Sequence, residues 1–212
     1  MRGPGRSRSW LAVVKFVADE LFYDGKGPLL QTGVGRIGVF PARKYEGEGG
    51  PGCRDIAQAI RTHGRRPGED LRSFARAMAF NWIVGGTDAH AKNFSFLIGA
   101  RGRAALAPLY DVASTLPYPG RHPPRRKLAM KIGGESRLGY IQVRHWERFA
   151  AQVGLPPEEV LGICESVATE TPDRFADLVA AARSEGLDHP VVERLKKGIT
   201  KHASACLDRL RR

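Results

Sequence analysis

The stretch that most restricts what this chain can fold into is residues 70–98. Leu71, Phe74, Ala75, Met78, Ala79, Trp82 and Ile83 recur at the spacing of one buried helix face, and Gly85-Gly86 ends the run. Asp70 stands where an N-cap would be. A polar loop over 87–93 follows, then an apolar run at 94–98, a glycine-containing turn at 99–102 and a second apolar run at 104–110. Two such runs joined by a turn predict a β-hairpin. The chain must therefore accommodate a helix that delivers a tight polar loop straight into a hairpin.

The remainder is mostly helical in pattern. Residues 54–61 predict a helix with Ile56, Ala59 and Ile60 on one face, and 145–153 predict another, stopped by Gly154. A longer helix opens at Pro156, in a favoured first-turn position, and runs through Val160, Ile163 and Val167, with a break expected near Pro172 before Phe175, Leu178 and Ala181. The last spans 190–210 with Val191, Leu195, Ile199, Ala203, Cys206 and Leu210 in one stripe. A strand-like piece at 127–132 ends on Gly133-Gly134. Residues 1–68 are rich in Gly and Pro and read as loop, apart from a short strand or helix at 11–16 and the helix at 54–61. The expected class is mainly α (α+β): a helical bundle with a small hairpin carrying the loop.

Composition narrows the function. With 212 residues and 42% hydrophobic content the chain can bury a core, and its apolar runs are too short and interrupted for a membrane-spanning helix. Cys53, Cys164 and Cys206 are odd in number and far apart, which fits neither a disulfide framework nor a metal-binding pair and suits a reducing cytoplasm. The formal charge of +12 is concentrated at 121–148, with eight Lys/Arg and two Glu, and at 193–212, with seven Lys/Arg and two acids. Neither stretch carries interleaved aromatics or nucleic-acid-binding spacing. A solvated basic face is the plain reading, and an acidic partner is the alternative.

The chemistry-bearing residues sit in the loop and at the far end of the hairpin. If the two runs pair antiparallel, the residue entering one and the residue leaving the other become neighbours, which places Asn93 beside Asp111 and Asp88 a short way along the loop. Two hard oxygen ligands beside a separate carboxylate suit magnesium and a general base. Asp88 and Asn93 are five positions apart, the interval between the proton-accepting Asp and the metal-binding Asn of a protein-kinase catalytic loop, where a second metal-binding Asp follows on a hairpin. Plainer roles stand beside these. Asp88 and Asn93 are good turn residues, His90 could be a buried structural His, Lys92 could meet only solvent, and Asp111 could cap the following segment.

GGTDAHAKNFSFLI at 85–98 and LAPLYDVAST at 106–115, with KYEGEGGPG at 44–52 and KLAMKIGG at 127–134, resemble the HipA family of bacterial serine/threonine kinases, the toxins of HipBA toxin–antitoxin modules. The resemblance runs from about residue 41 to the C-terminus. It implies a protein-kinase-like fold in which residues 44–212 supply the helical C-lobe and residues 1–43 form a divergent or poorly ordered segment, with the N-lobe largely missing. It implies Asp88 as catalytic base, Asn93 and Asp111 as Mg2+ ligands, and His90, Ala91, Lys92, Asn93, Tyr110 and Asp111 as contacts to ATP. The implied partners are a protein substrate, an aminoacyl-tRNA synthetase in the best-known members, and a HipB-like antitoxin through which DNA is reached. Nothing before Lys44 supplies the family's phosphate-covering loop or phosphate-binding Lys. The G-x-G-x-x-G match at Gly33, Gly35 and Gly38 is too common a pattern to stand for them. The chain alone is therefore expected to turn over weakly or not at all. A non-catalytic lobe that binds an antitoxin-like partner or DNA is the competing expectation.

Overall fold

The computed structural model describes residues 31–32, 45–98, 104–118, 126–186 and 188–211. Helix α1 spans Cys53–His63 and α2 spans Pro67–Val84. Helix α2 starts three residues ahead of the expected Asp70 cap because Pro67 takes the first helical position, where its fixed φ and missing N–H cost nothing. Glu69 and Asp70 instead sit in the first turn, where carboxylates favour the positive end of the helix dipole. The helix is also more deeply embedded than a single apolar stripe implies: Ala77, Phe80, Asn81 and Val84 are buried along with the expected set. It is the central post of the domain.

Three further helices pack around that post. Helix α3 covers Val143–Val153, α4 covers Pro157–Ser184 and α5 covers Pro190–Leu210. The stripe expected on α5 is buried as read, from Val191 to Leu210. The expected break in α4 does not occur, and the helix runs unbroken through Pro172. A proline leaves the carbonyl four residues earlier without its helical partner. That cost is outweighed because α4 is packed against α2, α3 and α5 at once. The neighbouring Thr171 is fully buried and donates from its hydroxyl to the Val167 carbonyl at 2.6 Å, so its own polar group is satisfied. The aromatic centre joins these helices, with the Trp82 and Trp146 rings 5.4 Å apart and Trp146 edge-on to Phe149 at 5.4 Å.

The sheets exceed the single expected hairpin. Strands β1 (Gln31–Thr32), β2 (Phe96–Ile98) and β3 (Ala104–Leu106) form an antiparallel sheet in the order β1-β2-β3, with Leu97 opposite both Gln31 and Ala105. The hairpin is thus present but shorter than read: the Ala107 N–H still donates to the Ser95 carbonyl at 2.8 Å, and Pro108 to Tyr110 leave the ladder on approach to Asp111. Strand β4 (Lys127–Ile132) turns at Gly133-Gly134 and pairs with β5 (Glu135–Arg137), a strand too short and polar to register in the sequence. The expected element at 11–16 and the glycines at 33–38 lie outside the described residues. All three cysteines are free and buried, and burial pushes the Cys206 thiol up to about 12. Among the described residues no helix is long and apolar enough to cross a membrane.

One core contact makes stability depend on pH. His202 of α5 is buried and its Nε2 lies 3.1 Å from the Trp82 carbonyl of α2. Burial first, and then the Arg209 and Arg126 charges, push it down to about 4, against the helping effect of the carbonyl. The unfolded chain therefore binds a proton that the folded chain refuses. Stability is full above about pH 6.5 and is lost as pH falls toward 4, by about 3 kcal/mol in the limit. His145 is also pushed down by burial and adds in the same direction, while Asp70, pushed up by burial, opposes it. Comparing denaturant midpoints of wild type and His202→Gln from pH 4 to 7 isolates the His202 part. The variant is expected to show the flatter profile.

Candidate active site

The site is built where α2 stops. Gly85 caps the helix at φ +66°, a left-handed conformation that a side chain resists, and a Cβ there would come within 2.8 Å of the Leu116 side chain. The last carbonyls of α2 are taken by the segment that follows Asp111. Ser114 donates to the Val84 carbonyl at 2.5 Å, and Thr115 donates to the Gly85 carbonyl from both its backbone N–H (3.1 Å) and its hydroxyl (3.0 Å). Arg126 donates to the Thr115 carbonyl and, at 2.9 Å, to that of Tyr118. The helix end that launches the loop and the segment that presents Asp111 are thereby one hydrogen-bonded unit.

Within the loop a short turn over Ala91–Asn93 aims the side chains. The His90 N–H lies 2.9 Å from the Asp88 carbonyl and 3.3 Å from Asn93 Oδ1, drawing the two ends of the loop to one donor. Asn93 is buried, and its Nδ2 donates to Asp111 Oδ2 at 3.1 Å and to the Asp111 carbonyl at 3.4 Å. Asp111 is exposed and sits at φ +56°. Among the described residues it is the non-glycine with positive φ, a conformation that Asp tolerates and that concentrates at functional sites. The Tyr110 hydroxyl lies 2.6 Å from Ser95 Oγ and donates to the Lys92 carbonyl, tying the hairpin base to the loop.

The structure therefore brings Asn93 and Asp111 into contact and holds His90 and the Asp88 backbone on the same turn. Asp88 itself is exposed, with its Oδ1 accepting from the Tyr45 hydroxyl at 2.8 Å. His90 is buried, its ring edge-on to Tyr45 at 5.4 Å. Ala91 is fully buried, backbone included, and offers a ligand no surface in this arrangement, so the expected contact there is not formed, while Lys92 is half-buried. Tyr45 is the site residue that the spacing of the loop could not reveal. It comes from 43 positions away, although it belongs to the KYEGEGGPG stretch.

Chemically, the cluster offers the exposed Asp111 carboxylate, steadied by the Asn93 amide nitrogen while the Asn93 amide oxygen takes the His90 N–H, on one side and the exposed Asp88 carboxylate on the other. Among the described residues no group of three or more His, Cys, Asp or Glu side chains is arranged to hold a metal ion. Magnesium is bound through one or two protein oxygens, which Asp111 with Asn93 beside it can supply, and completes its shell with water and phosphate. The donor set fits such an ion better than it fits zinc, which takes three or four nitrogen, sulfur or carboxylate ligands.

Comparison with known proteins bears on this geometry. The chain is 43% identical over 122 residues to "Putative kinase Y4mE" of Sinorhizobium fredii, covering 57% of the chain and 28% of that protein. It is 26% identical over 153 residues to the serine/threonine-protein kinase toxin HipA of Shewanella oneidensis, covering 68% of the chain and 34% of the relative. The fold is similar to a chain of the solved Shewanella oneidensis MR-1 complex of HipA, HipB and operator DNA, with a TM-score of 0.70 at 22% identity over 81% of this chain and 41% of that one. The matched part of the chain thus covers less than half the length of each of these proteins. The family model for the HipA-like C-terminal domain matches residues 26–175, a span that contains α1, α2, the loop and both sheets. With that match the chain belongs to the HipA-like C-terminal domain family.

Proposed function

We propose that this chain is the C-terminal, catalytic-loop lobe of a kinase-like serine/threonine protein kinase, comprising residues 44 onward and using ATP with Mg2+. The observation that carries the reading is the 3.1 Å contact between Asn93 and Asp111 on the same hydrogen-bonded turn as Asp88. When bound, the metal would neutralise charge on the β- and γ-phosphate oxygens. The protein's own part is positional. Asp111, and Asn93 once its amide oxygen turns from the His90 N–H, would hold the metal, with His90, Lys92 and Tyr110 on the same loop and hairpin base toward the nucleotide. Asp88 takes the proton from a substrate Ser or Thr hydroxyl as that oxygen bonds to the γ-phosphorus and the bond to the ADP oxygen breaks.

Phosphoryl transfer is mostly positioning and charge stabilisation, so a cover over the phosphates matters as much as the base. Before Lys44 the sequence carries no recognisable phosphate-covering loop or phosphate-binding Lys. The chain by itself is therefore expected to bind magnesium-nucleotide weakly and to transfer phosphate slowly. Calorimetry of a non-hydrolysable ATP analogue with magnesium and with EDTA tests the reading, which is overturned by equal affinity in both. Brisk turnover by the chain, abolished by Asp88→Asn, would overturn the expectation of weak activity while upholding the chemistry.

The partners follow the relatives. A HipB-like antitoxin, with operator DNA reached through it, fits the likeness to the HipA–HipB–DNA complex, and a protein substrate fits the kinase toxin relative. The formal charge of +12 favours a second reading, in which the basic lobe binds an acidic partner or DNA without catalysis. Direct binding to duplex DNA that falls steeply as salt is raised, with no nucleotide binding, would select that reading.

A further inference from the structure

The loop carrying Asp88 has an exposed carboxylate at its tip, and an exposed side chain free to change rotamer is poorly suited to accept a proton in one direction. Reaction rates fall off sharply when a reacting group is misplaced by even about 1 Å. Resting on the phosphotransfer reading above, we propose that Tyr45 is a positioning residue for Asp88, its hydroxyl anchoring one carboxylate oxygen so that the other is held ready for the acceptor hydroxyl.

The geometry is specific. Tyr45 Oη donates to Asp88 Oδ1 at 2.8 Å, a charge-assisted hydrogen bond between groups 43 positions apart in the chain. Among the described residues Asp88 Oδ2 makes no hydrogen bond, so the anchor leaves one oxygen for substrate. The phenol ring is itself fixed, standing edge-on to the buried His90 ring at 5.4 Å and 70°. One tyrosine thus touches both the carboxylate and the residue whose N–H gathers the loop onto Asn93.

The foothold of Tyr45 is equally built. Its carbonyl accepts from the Glu48 N–H at 3.0 Å and the Gly50 N–H at 2.9 Å, closing the turn over Glu46–Glu48. The Glu46 carboxylate accepts the Lys131 N–H of β4 at 2.6 Å and lies 3.9 Å from the Lys131 ammonium. The Gly52 N–H, at the start of α1, is taken by Asp55 at 2.9 Å. The KYEGEGGPG stretch is therefore a bracket fastened to α1 and β4, from which the phenol projects onto the Asp88 loop. That assigns a purpose to a motif outside the loop and hairpin that the base and metal ligands do not use.

The test is solution NMR of the full chain with Tyr45→Phe, which keeps the ring and removes only the hydroxyl. In wild type the Asp88 Hα–Hβ couplings are expected to show a single rotamer. In Tyr45→Phe they average, while the amide resonances of residues 90–93 and the magnesium-dependent nucleotide affinity stay unchanged. The reciprocal variant Asp88→Asn is expected to move the Tyr45 ring-carbon resonance. A single Asp88 rotamer surviving in Tyr45→Phe overturns the proposal. So does a Tyr45 resonance indifferent to Asp88→Asn, or a general shift of the 90–93 amides that would make Tyr45 a structural support only. If wild type binds nucleotide equally with and without magnesium, the phosphotransfer reading fails and the catalytic meaning of Tyr45 goes with it. That outcome is separate from whether the Asp88 rotamer responds to Tyr45.

Discussion

Asp111→Asn is expected to remove magnesium-dependent nucleotide binding from the chain while leaving the fold intact. Asn is nearly isosteric with Asp and is the other residue that accepts a left-handed backbone, so the φ of +56° at this position adds no new strain. The contact from Asn93 Nδ2 at 3.1 Å survives, because the side-chain carbonyl of Asn accepts as a carboxylate does. Only the charge is lost, and a hard divalent ion depends on that charge. The expected signature is an affinity drop of about tenfold or more in magnesium, about 1.4 kcal/mol, with no change in EDTA. Calorimetry reads it directly. An unchanged magnesium affinity would remove Asp111 from the metal and leave it a turn residue. Asn93→Ala is the less clean probe, since Asn93 is buried and its amide also gathers the His90 N–H.

The largest effect on stability is expected from Gly133→Ala. Gly133 sits at φ +55°, and a Cβ there would lie 1.9 Å from the His145 carbonyl oxygen at the start of α3. No rotamer change relieves a clash between two backbone segments, so the β4–β5 hairpin must lift off the helix. The hairpin inserts Met130 and Ile132, both fully buried, and Leu138 follows directly after it. Left-handed strain of about 1–2 kcal/mol adds to the packing loss. The expected total is about 3–5 kcal/mol, within the range of other severe core changes. Gly134→Ala is the control. It shares a positive φ, +92°, but has open space where the Cβ would go, so it keeps only the backbone cost. Denaturant unfolding of the two variants should separate them by about 2–3 kcal/mol, at about 2–4 °C of melting temperature per kcal/mol. Equal losses would show that the close approach to α3 carries no weight.

Particular residues show how far the sequence reads into this structure. The stripe from Val191 to Leu210 is a pure 3.6-residue repeat, and α5 buries it as written because a helix face and its partner surface need only that period. The neighbourhood of Asn93 and Asp111 was equally legible, since antiparallel pairing of two adjacent runs brings their outer ends together whatever surrounds them. Pro172 was misleading. Taken locally it breaks a helix, but packing of α4 against three neighbours outweighs one lost hydrogen bond. Asp70 misled in the other direction: its side chain suits a cap, yet Pro67 is the better first residue.

What the amino-acid order determined by itself is therefore everything local or periodic. It set the helix faces, the glycine stop at Gly85, the hairpin, and the five-residue step from Asp88 to Asn93 that the hairpin brings beside Asp111. Only the tertiary structure decided that the second half of α2 is buried on every side, that Gly133 rather than Gly134 is the sterically critical glycine, and that Tyr45 reaches Asp88. These depend on which surfaces meet across 12 to 43 positions of chain, from Gly133 to His145 and from Tyr45 to Asp88. A short pattern carries no record of such meetings, because the free energy that selects them comes from packing the whole core at once.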